Sequence, residues 1–246
     1  MINILIPMAG KNQYFSESEY PFPKPLIEIG PKTIIEHVIN NLSSIGANIQ
    51  FIFILNNADC KKFHLDNTLN IITNKNCKII RLENETKGAA CSALMAITHI
   101  NTDSPLIIAN SDQVFRCSLN NFISKFKNSD AGVVTFESVH PRWSYVRLDE
   151  HQHVVETAEK RPISRHAIAG LYYFQRGRDF VESAMSMVQK DAHINGGFFI
   201  SSSLNEMILK GKTITSMQVK GEDYYTFYTP QKIKDYEMQL FREAQG

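Results

Sequence analysis

Short runs of β-branched residues, each followed by a stretch with helical periodicity, constrain this chain more than any other feature. Ile2-Asn3-Ile4-Leu5-Ile6-Pro7 is dense in β-branched side chains and is followed at once by turn formers, so it reads as a buried strand. A loop punctuated by Gly and Pro follows, over residues 9–32. In residues 33–42 the spacing puts Ile34, Ile35, Val38, Ile39 and Leu42 on one helical stripe, and Thr33 with Glu36 has the capping-box pattern. The helix is expected to stop near Gly46. Residues 49–55 form a second apolar strand, which completes a βαβ unit.

The pattern repeats. Residues 77–82 read as a strand, 89–97 as a helix, 105–109 as a strand, 119–127 as a helix and 132–136 as a strand. Such alternation predicts an α/β fold, a Rossmann-like, mostly parallel sheet flanked by helices. After about residue 138 the style changes. Residues 145–148, 154–159 and 168–174 read as strands of an antiparallel or mixed extension, 181–188 and 204–209 as helices, 214–219 as a last strand and 232–241 as a last helix. No linker rich in Gly, Pro or Ser divides the chain, so one domain over residues 1–246 is expected.

Charge and cysteine usage narrow the function classes. With 26 Lys+Arg against 25 Asp+Glu, the chain lacks the basic surface that nucleic acid or an anionic membrane requires. Cys60, Cys77, Cys91 and Cys117 are scattered without a Cys-x-x-Cys pair, which argues for ordinary thiols in a reducing compartment. The first apolar run is too short for a signal peptide or a spanning helix, so a cytoplasmic location is expected. No Gly-x-Gly-x-x-Gly follows the first strand, which argues against a dinucleotide-dependent oxidoreductase. His151 and His153 share a strand face, but spacing places no third metal ligand beside them.

Ligands of such sheets bind beyond the carboxyl ends of the parallel strands. The loop after the first strand, with Met8, Ala9, Gly10, Lys11 and Asn12, is the first candidate: Gly10 permits close backbone approach, and Asn12 tolerates a positive φ. Lys24 lies between Pro23 and Pro25, whose fixed φ angles stiffen the backbone that carries its charge. Leu106-Ile107-Ile108-Ala109 runs from apolar core into Asn110-Ser111-Asp112-Gln113, a polar tip with one carboxylate of the kind Mg²⁺ takes beside phosphates. Each feature alone also has a bland structural explanation, as a tight turn, an exposed lysine or an Asx turn.

Together these residues resemble the sugar-nucleotidyltransferase (nucleotide-sugar pyrophosphorylase-like) superfamily, and most nearly its capsule- and polysaccharide-associated branch. The resemblance is carried by Pro7-Met8-Ala9-Gly10, Pro23-Lys24-Pro25-Leu26-Ile27 and Ile35-Glu36-His37-Val38-Ile39. It continues through Thr86-Lys87-Gly88-Ala89-Ala90, Asn110-Ser111-Asp112-Gln113, Glu159-Lys160, Ala169-Gly170-Leu171-Tyr172 and Tyr228-Thr229-Pro230, in the family's order. It implies a Mg²⁺-dependent enzyme that joins a nucleoside triphosphate to a phosphorylated sugar or alcohol and releases pyrophosphate. By motif position, Met8 to Asn12, Thr86, Lys87, Gly88 and Asn110 would line the nucleotide. Lys24, Asp112 and Lys160 would be catalytic, with Asp112 on the metal. Glu159, Lys160 and Gly170 would meet the acceptor. Residues 1–137 would then be the nucleotide-binding half and 138–246 the acceptor-binding half; a homo-oligomer is compatible with this reading.

Two departures bear on that reading. Asn12 stands for the family's second loop glycine, and Tyr14 or a neighbour for its arginine, a loss that Lys11 offsets only in part because lysine makes no bidentate contact. The family's second metal aspartate falls on Thr226, so Asp223 or Glu222 would substitute after a loop shift, or Asp112 would act with phosphates alone. Competing readings are a CTP-dependent cytidylyltransferase for a phosphorylated amino-alcohol or amino-acid acceptor, a glycosyltransferase and a degenerate nucleotide-binding protein. Tyr172, Tyr173, Phe198, Phe199, Tyr224 and Tyr225 are candidates for an aromatic pocket that would favour a cationic acceptor.

Overall fold

The computed structural model describes residues 1–10, 14–16, 18–46 and 48–245. The opening unit forms as the periodicity predicts. β1 (Ile2–Pro7) leads through a short ladder, β2 (Glu28–Ile29) with β3 (Lys32–Thr33), into α1 (Ile34–Ser43). Thr33 Oγ1 accepts from the Glu36 N–H, and the Glu36 carboxylate accepts from the Thr33 N–H at 2.6 Å, so the capping box is complete. β4 (Ile49–Asn56) then lies parallel beside β1, Ile4 against Phe51.

The next stretch departs from the expectation. Residues 57–76 carry no clear period, yet they form α2 (Asn57–Phe63) and α3 (Leu65–Ile72), which join at His64 in the left-handed conformation with φ 54°. β5 (Cys77–Leu82) pairs parallel with β4. The helix expected over 89–97 breaks into α4 (Ala89–Leu94) and α5 (Ile97–Ile100). β6 (Leu106–Ala109) returns parallel to β1, and β7 (Gln113–Phe115), unread in the sequence, follows at once. α6 (Leu119–Phe126), β8 (Ala131–Glu137), β9 (Ser144–Leu148), β10 (Val154–Glu159) and β11 (His166–Phe174) come next. The chain ends with α7 (Gly177–Gln189), α8 (Ile200–Leu209), β12 (Ile214–Gln218), β13 (Tyr224–Thr226) and α9 (Pro230–Gln245).

The main sheet runs β10-β9-β11-β6-β1-β4-β5, with β8 along β11 and β12 along β8. β11, expected in a peripheral extension, is central: it runs antiparallel between β6 and β8. β8 therefore does not continue the parallel series beside β6. Alternate strand residues feed opposite faces. Ile4, Ile6, Phe51 and Phe53 pack against α1, α6 and α9, while Leu5, Ile52, Ile54 and Ile108 pack against α4, α7 and α8. Helices thus cover both faces of the sheet. Among the described residues no helix is long and apolar enough to cross a membrane. The four cysteines are free thiols.

Candidate active site

The chain leaves the sheet at the carboxyl ends of β1 and β6, and the loops there enclose a cavity of about 180 Å³ that Met8, Gly10, Lys24, Asp59, Asn110 and Asp112 help to line. Lys24 does not sit on an extended strap. It opens a tight 3₁₀ turn over Lys24–Leu26, closed by Leu26 N–H to Pro23 C=O at 2.8 Å and Ile27 N–H to Lys24 C=O at 3.1 Å. From that turn its ammonium meets the Asp112 carboxylate in an ion pair, 5.6 Å from the Phe15 ring centroid. Both side chains are largely buried, at 14 % and 21 % exposure, so the pair forms where screening by water is reduced. Thus residues 88 positions apart in sequence face one cavity.

Asp112 is held from behind by its main chain. Its carbonyl accepts from the Phe227 N–H at 2.7 Å, and β13 pairs antiparallel with β7, Thr226 opposite Gln113. That register decides which residue neighbours Asp112. Thr226 lies at its end of the ladder, whereas Asp223 lies at the other, its carbonyl bound by the Arg116 N–H at 2.9 Å. At about 3.4 Å per residue, the four positions from Asp112 to Arg116 span roughly 14 Å. The structure therefore does not bring Asp223 to Asp112. Among the described residues no three His, Cys, Asp or Glu side chains converge. Asp112, Asn110 and Ser111 offer oxygen donors at the cavity, a set that suits a hard cation such as Mg²⁺ completed by phosphate oxygens.

Gly170 of β11 packs directly against Asn110 at the cavity. Its φ is +61°, the β11 ladder shifts register around it, and its carbonyl accepts from the Asn110 N–H at 3.0 Å. A Cβ there would lie 2.2 Å from Asn110 Nδ2 and 2.7 Å from Gln113 Oε1, so only glycine leaves room for both carboxamides. Gln113 Oε1 accepts from the Tyr224 hydroxyl at 3.1 Å. Burial and the nearby Asp112 charge push the Tyr224 hydroxyl pKa well up, so it acts as a neutral donor.

The loop Thr86-Lys87-Gly88 is stitched to the start of α8. The Phe198 N–H donates to the Lys87 carbonyl at 2.7 Å, and the Ala90 N–H to the Phe198 carbonyl at 3.1 Å. Gly88 has φ +105°, and a Cβ there would lie 2.5 Å from the Phe198 carbonyl oxygen. Thr86 Oγ1 bonds the Gly88 carbonyl at 3.1 Å and Ser92 Oγ at 2.6 Å. Whatever this loop binds, its glycine also answers a packing demand.

On the other side, the Glu159 carboxylate accepts from the Ser144 and Ser201 hydroxyls. Lys160 takes the left-handed conformation at φ 54°, its N–H donates to the Trp143 carbonyl at 3.0 Å, and its ammonium lies 5.1 Å from the Phe199 ring centroid. The six aromatics singled out in the sequence do not form one pocket. Tyr173 packs on Phe126 in the core, and Tyr225 on Tyr236 of α9. Tyr224 instead packs on Phe136 at 4.8 Å, and Phe136 on Trp143 at 5.2 Å, with Trp143 against Tyr228 at 5.8 Å. Sequence reasoning singled out neither Asp59, which lines the cavity, nor the Phe136–Trp143 ring pair, because these residues stand outside the motifs; Tyr228 fell within a motif but was given no role. Lys11 and Asn12 lie outside the described residues.

A model of the nucleotidyl transferase family matches residues 20–223. Bifunctional protein GlmU of Methanococcus aeolicus is 27 % identical over 180 residues, which cover 71 % of this chain and 40 % of that protein. GlmU of Methanocaldococcus jannaschii gives the same coverage, so the chain spans about 40 % of the length of these relatives. UTP--glucose-1-phosphate uridylyltransferase AglF of Haloferax volcanii is 22 % identical over 220 residues, 87 % of this chain and 86 % of that one. Among solved structures, a nucleoside-diphosphate-sugar pyrophosphorylase from Vibrio cholerae superposes with TM-score 0.84 at 26 % identity, covering 96 % of this chain and 99 % of that one. A UDP-glucose pyrophosphorylase with bound UDP-glucose shares the fold at TM-score 0.78 and 19 % identity, covering 99 % of this chain and 100 % of that one.

Proposed function

The chain belongs to the nucleotidyl transferase family, and on that premise we propose that it joins a nucleoside triphosphate to a sugar 1-phosphate with release of pyrophosphate. The observation that carries this reading is the meeting of Lys24 and Asp112 in one cavity at the carboxyl ends of β1 and β6. The names of the similar proteins, pyrophosphorylases and a uridylyltransferase, support it over the glycosyltransferase, cytidylyltransferase and degenerate readings. Residues 1–137 serve the nucleotide and 138–246 the acceptor within one domain. Surface-polysaccharide supply in the cytoplasm is the role that the motif set favours.

An acceptor phosphate is already ionised near neutral pH, its second pKa being about 6, so it attacks without a general base. The protein's task is alignment and charge neutralisation. Lys160 holds the acceptor phosphate, and Glu159, fixed by Ser144 and Ser201, orients the acceptor's hydroxyls. Lys24 leaves Asp112 for the donor's phosphates. Asp112 would hold Mg²⁺, which when bound neutralises charge on the departing pyrophosphate. Asn110 and the backbone at Gly88 and Gly10 line the nucleotide. The test is a panel of UTP, CTP, GTP and dTTP against sugar 1-phosphates, scored by pyrophosphate release with Mg²⁺. Absence of release from every pair refutes the reading.

A further inference from the structure

Arg142 is a half-buried cation that the proposed chemistry leaves unused. Arg176, the other arginine that is not exposed, forks onto Asp179 with contacts of 2.9 and 3.1 Å. Arg142 has no carboxylate partner among the described residues. Its Nε donates to His140 Nδ1 at 3.3 Å, its guanidinium carbon lies 4.4 Å from the Tyr228 ring centroid, and Nη1 is buried with no hydrogen-bond acceptor among the described residues. Buried polar groups are nearly always satisfied, and an unpaired charge is costly to bury. A guanidinium braced on a ring and short of an acceptor is arranged for an anion that arrives with a ligand.

Its place in the fold says which anion. Tyr228 follows Phe227, whose N–H holds the Asp112 carbonyl, and Trp143 beside Arg142 accepts from the Lys160 N–H. Arg142 is thus tied one residue away from the supports of both Asp112 and Lys160. Tyr228 also meets Tyr14 of the first loop, ring centroids 6.2 Å apart. Lys24 is paired with Asp112 until it turns to the donor's phosphates, and Arg142 adds beside it a guanidinium that has no carboxylate partner among the described residues.

We propose that Arg142, braced on Tyr228, grips a phosphate oxyanion of the bound ligand. The proposal rests on the transferase reading only for which phosphates enter, the donor's tail or the acceptor's phosphate. The test is calorimetric titration of the whole protein with inorganic pyrophosphate and, separately, with glucose 1-phosphate, for wild type, Arg142→Gln and Arg142→Lys. Arg142→Gln is expected to weaken one ligand at least tenfold. Arg142→Lys should recover part of the loss, because it keeps the charge and not the fork; it also carries the test if Arg142→Gln does not fold. Loss confined to pyrophosphate assigns the contact to the donor, and loss confined to glucose 1-phosphate assigns it to the acceptor. Affinities within twofold of wild type for both ligands, or a wild type that binds neither, overturn the proposal. These are binding readouts. A protein that grips pyrophosphate through Arg142 but never releases it from any substrate pair refutes the transferase reading alone.

Discussion

Replacing Gly88 by alanine tests whether the loop over residues 86–88 is held by backbone geometry. Gly88 has φ 105° and ψ 173°, a region in which only glycine is at ease; a residue with a Cβ held there costs about 1–3 kcal/mol. The added Cβ would also lie 2.5 Å from the Phe198 carbonyl oxygen and 2.8 Å from its nitrogen, both main-chain atoms that no rotamer change can move. Relief requires the two segments to part, at the expense of the 2.7 Å and 3.1 Å hydrogen bonds between them. At about 1 kcal/mol net for each bond, the total is roughly 3–5 kcal/mol. A domain is stable by about 5–15 kcal/mol, so the variant should fold but marginally. Urea unfolding followed by circular dichroism reads the effect: at an m-value of about 3 kcal/mol/M, the midpoint should fall by roughly 1–1.7 M. Gly221→Ala is the control, because a Cβ there meets nothing within 4 Å and no left-handed φ is involved; it should stay within about 0.5 kcal/mol. A Gly88→Ala loss below about 1 kcal/mol would refute the reasoning.

Asp112→Asn should cut turnover by about 10²-fold or more while the melting temperature moves little, and unchanged turnover would reject its metal role. Lys160→Ala should raise the KM for the sugar phosphate roughly 10–100-fold, from about 1.5–3 kcal/mol of lost charged contact, and leave the KM for the triphosphate alone; equal effects on both would place Lys160 elsewhere. For acid stability, burial pushes the Asp130 carboxyl up, but Lys212 Nζ at 2.9 Å and the Thr213 N–H at 3.0 Å outweigh it and leave its pKa below the ordinary 3.8. A depressed folded pKa means that stabilisation is complete above the unfolded value and fades as pH falls through the folded one. Wild type should therefore exceed Asp130→Asn in urea midpoint near pH 7, and the gap should close as pH drops below 3.8; a gap that persists in acid speaks against the linkage.

How much of this was legible in the sequence follows from the range of each signal. Periodicity is local, so β1, α1 and β4 and the Thr33–Glu36 cap could be read within their own windows. The loops bearing Lys24 and Asp112 were also marked, because each follows an apolar run that has to enter a sheet. α2 and α3 escaped notice because short helices gain their stability from packing, and Leu65 and Leu69 show a stripe too brief to stand out. Strand order is a long-range property. Nothing within residues 166–174 says that they run between β6 and β8, since a buried antiparallel strand and a buried parallel strand carry the same apolar run.

The sequence by itself determined the α/β class, the first βαβ unit and the loops that bear Lys24 and Asp112. Only the tertiary structure decided what stands beside what. One ladder register gives Thr226, and not Asp223, the place next to Asp112. One aromatic contact carries Arg142 onto Tyr228. The physical reason is that period and composition act over a turn or a strand, whereas pairing and stacking join residues far apart in the chain. Their energies exist only once the sheet has closed.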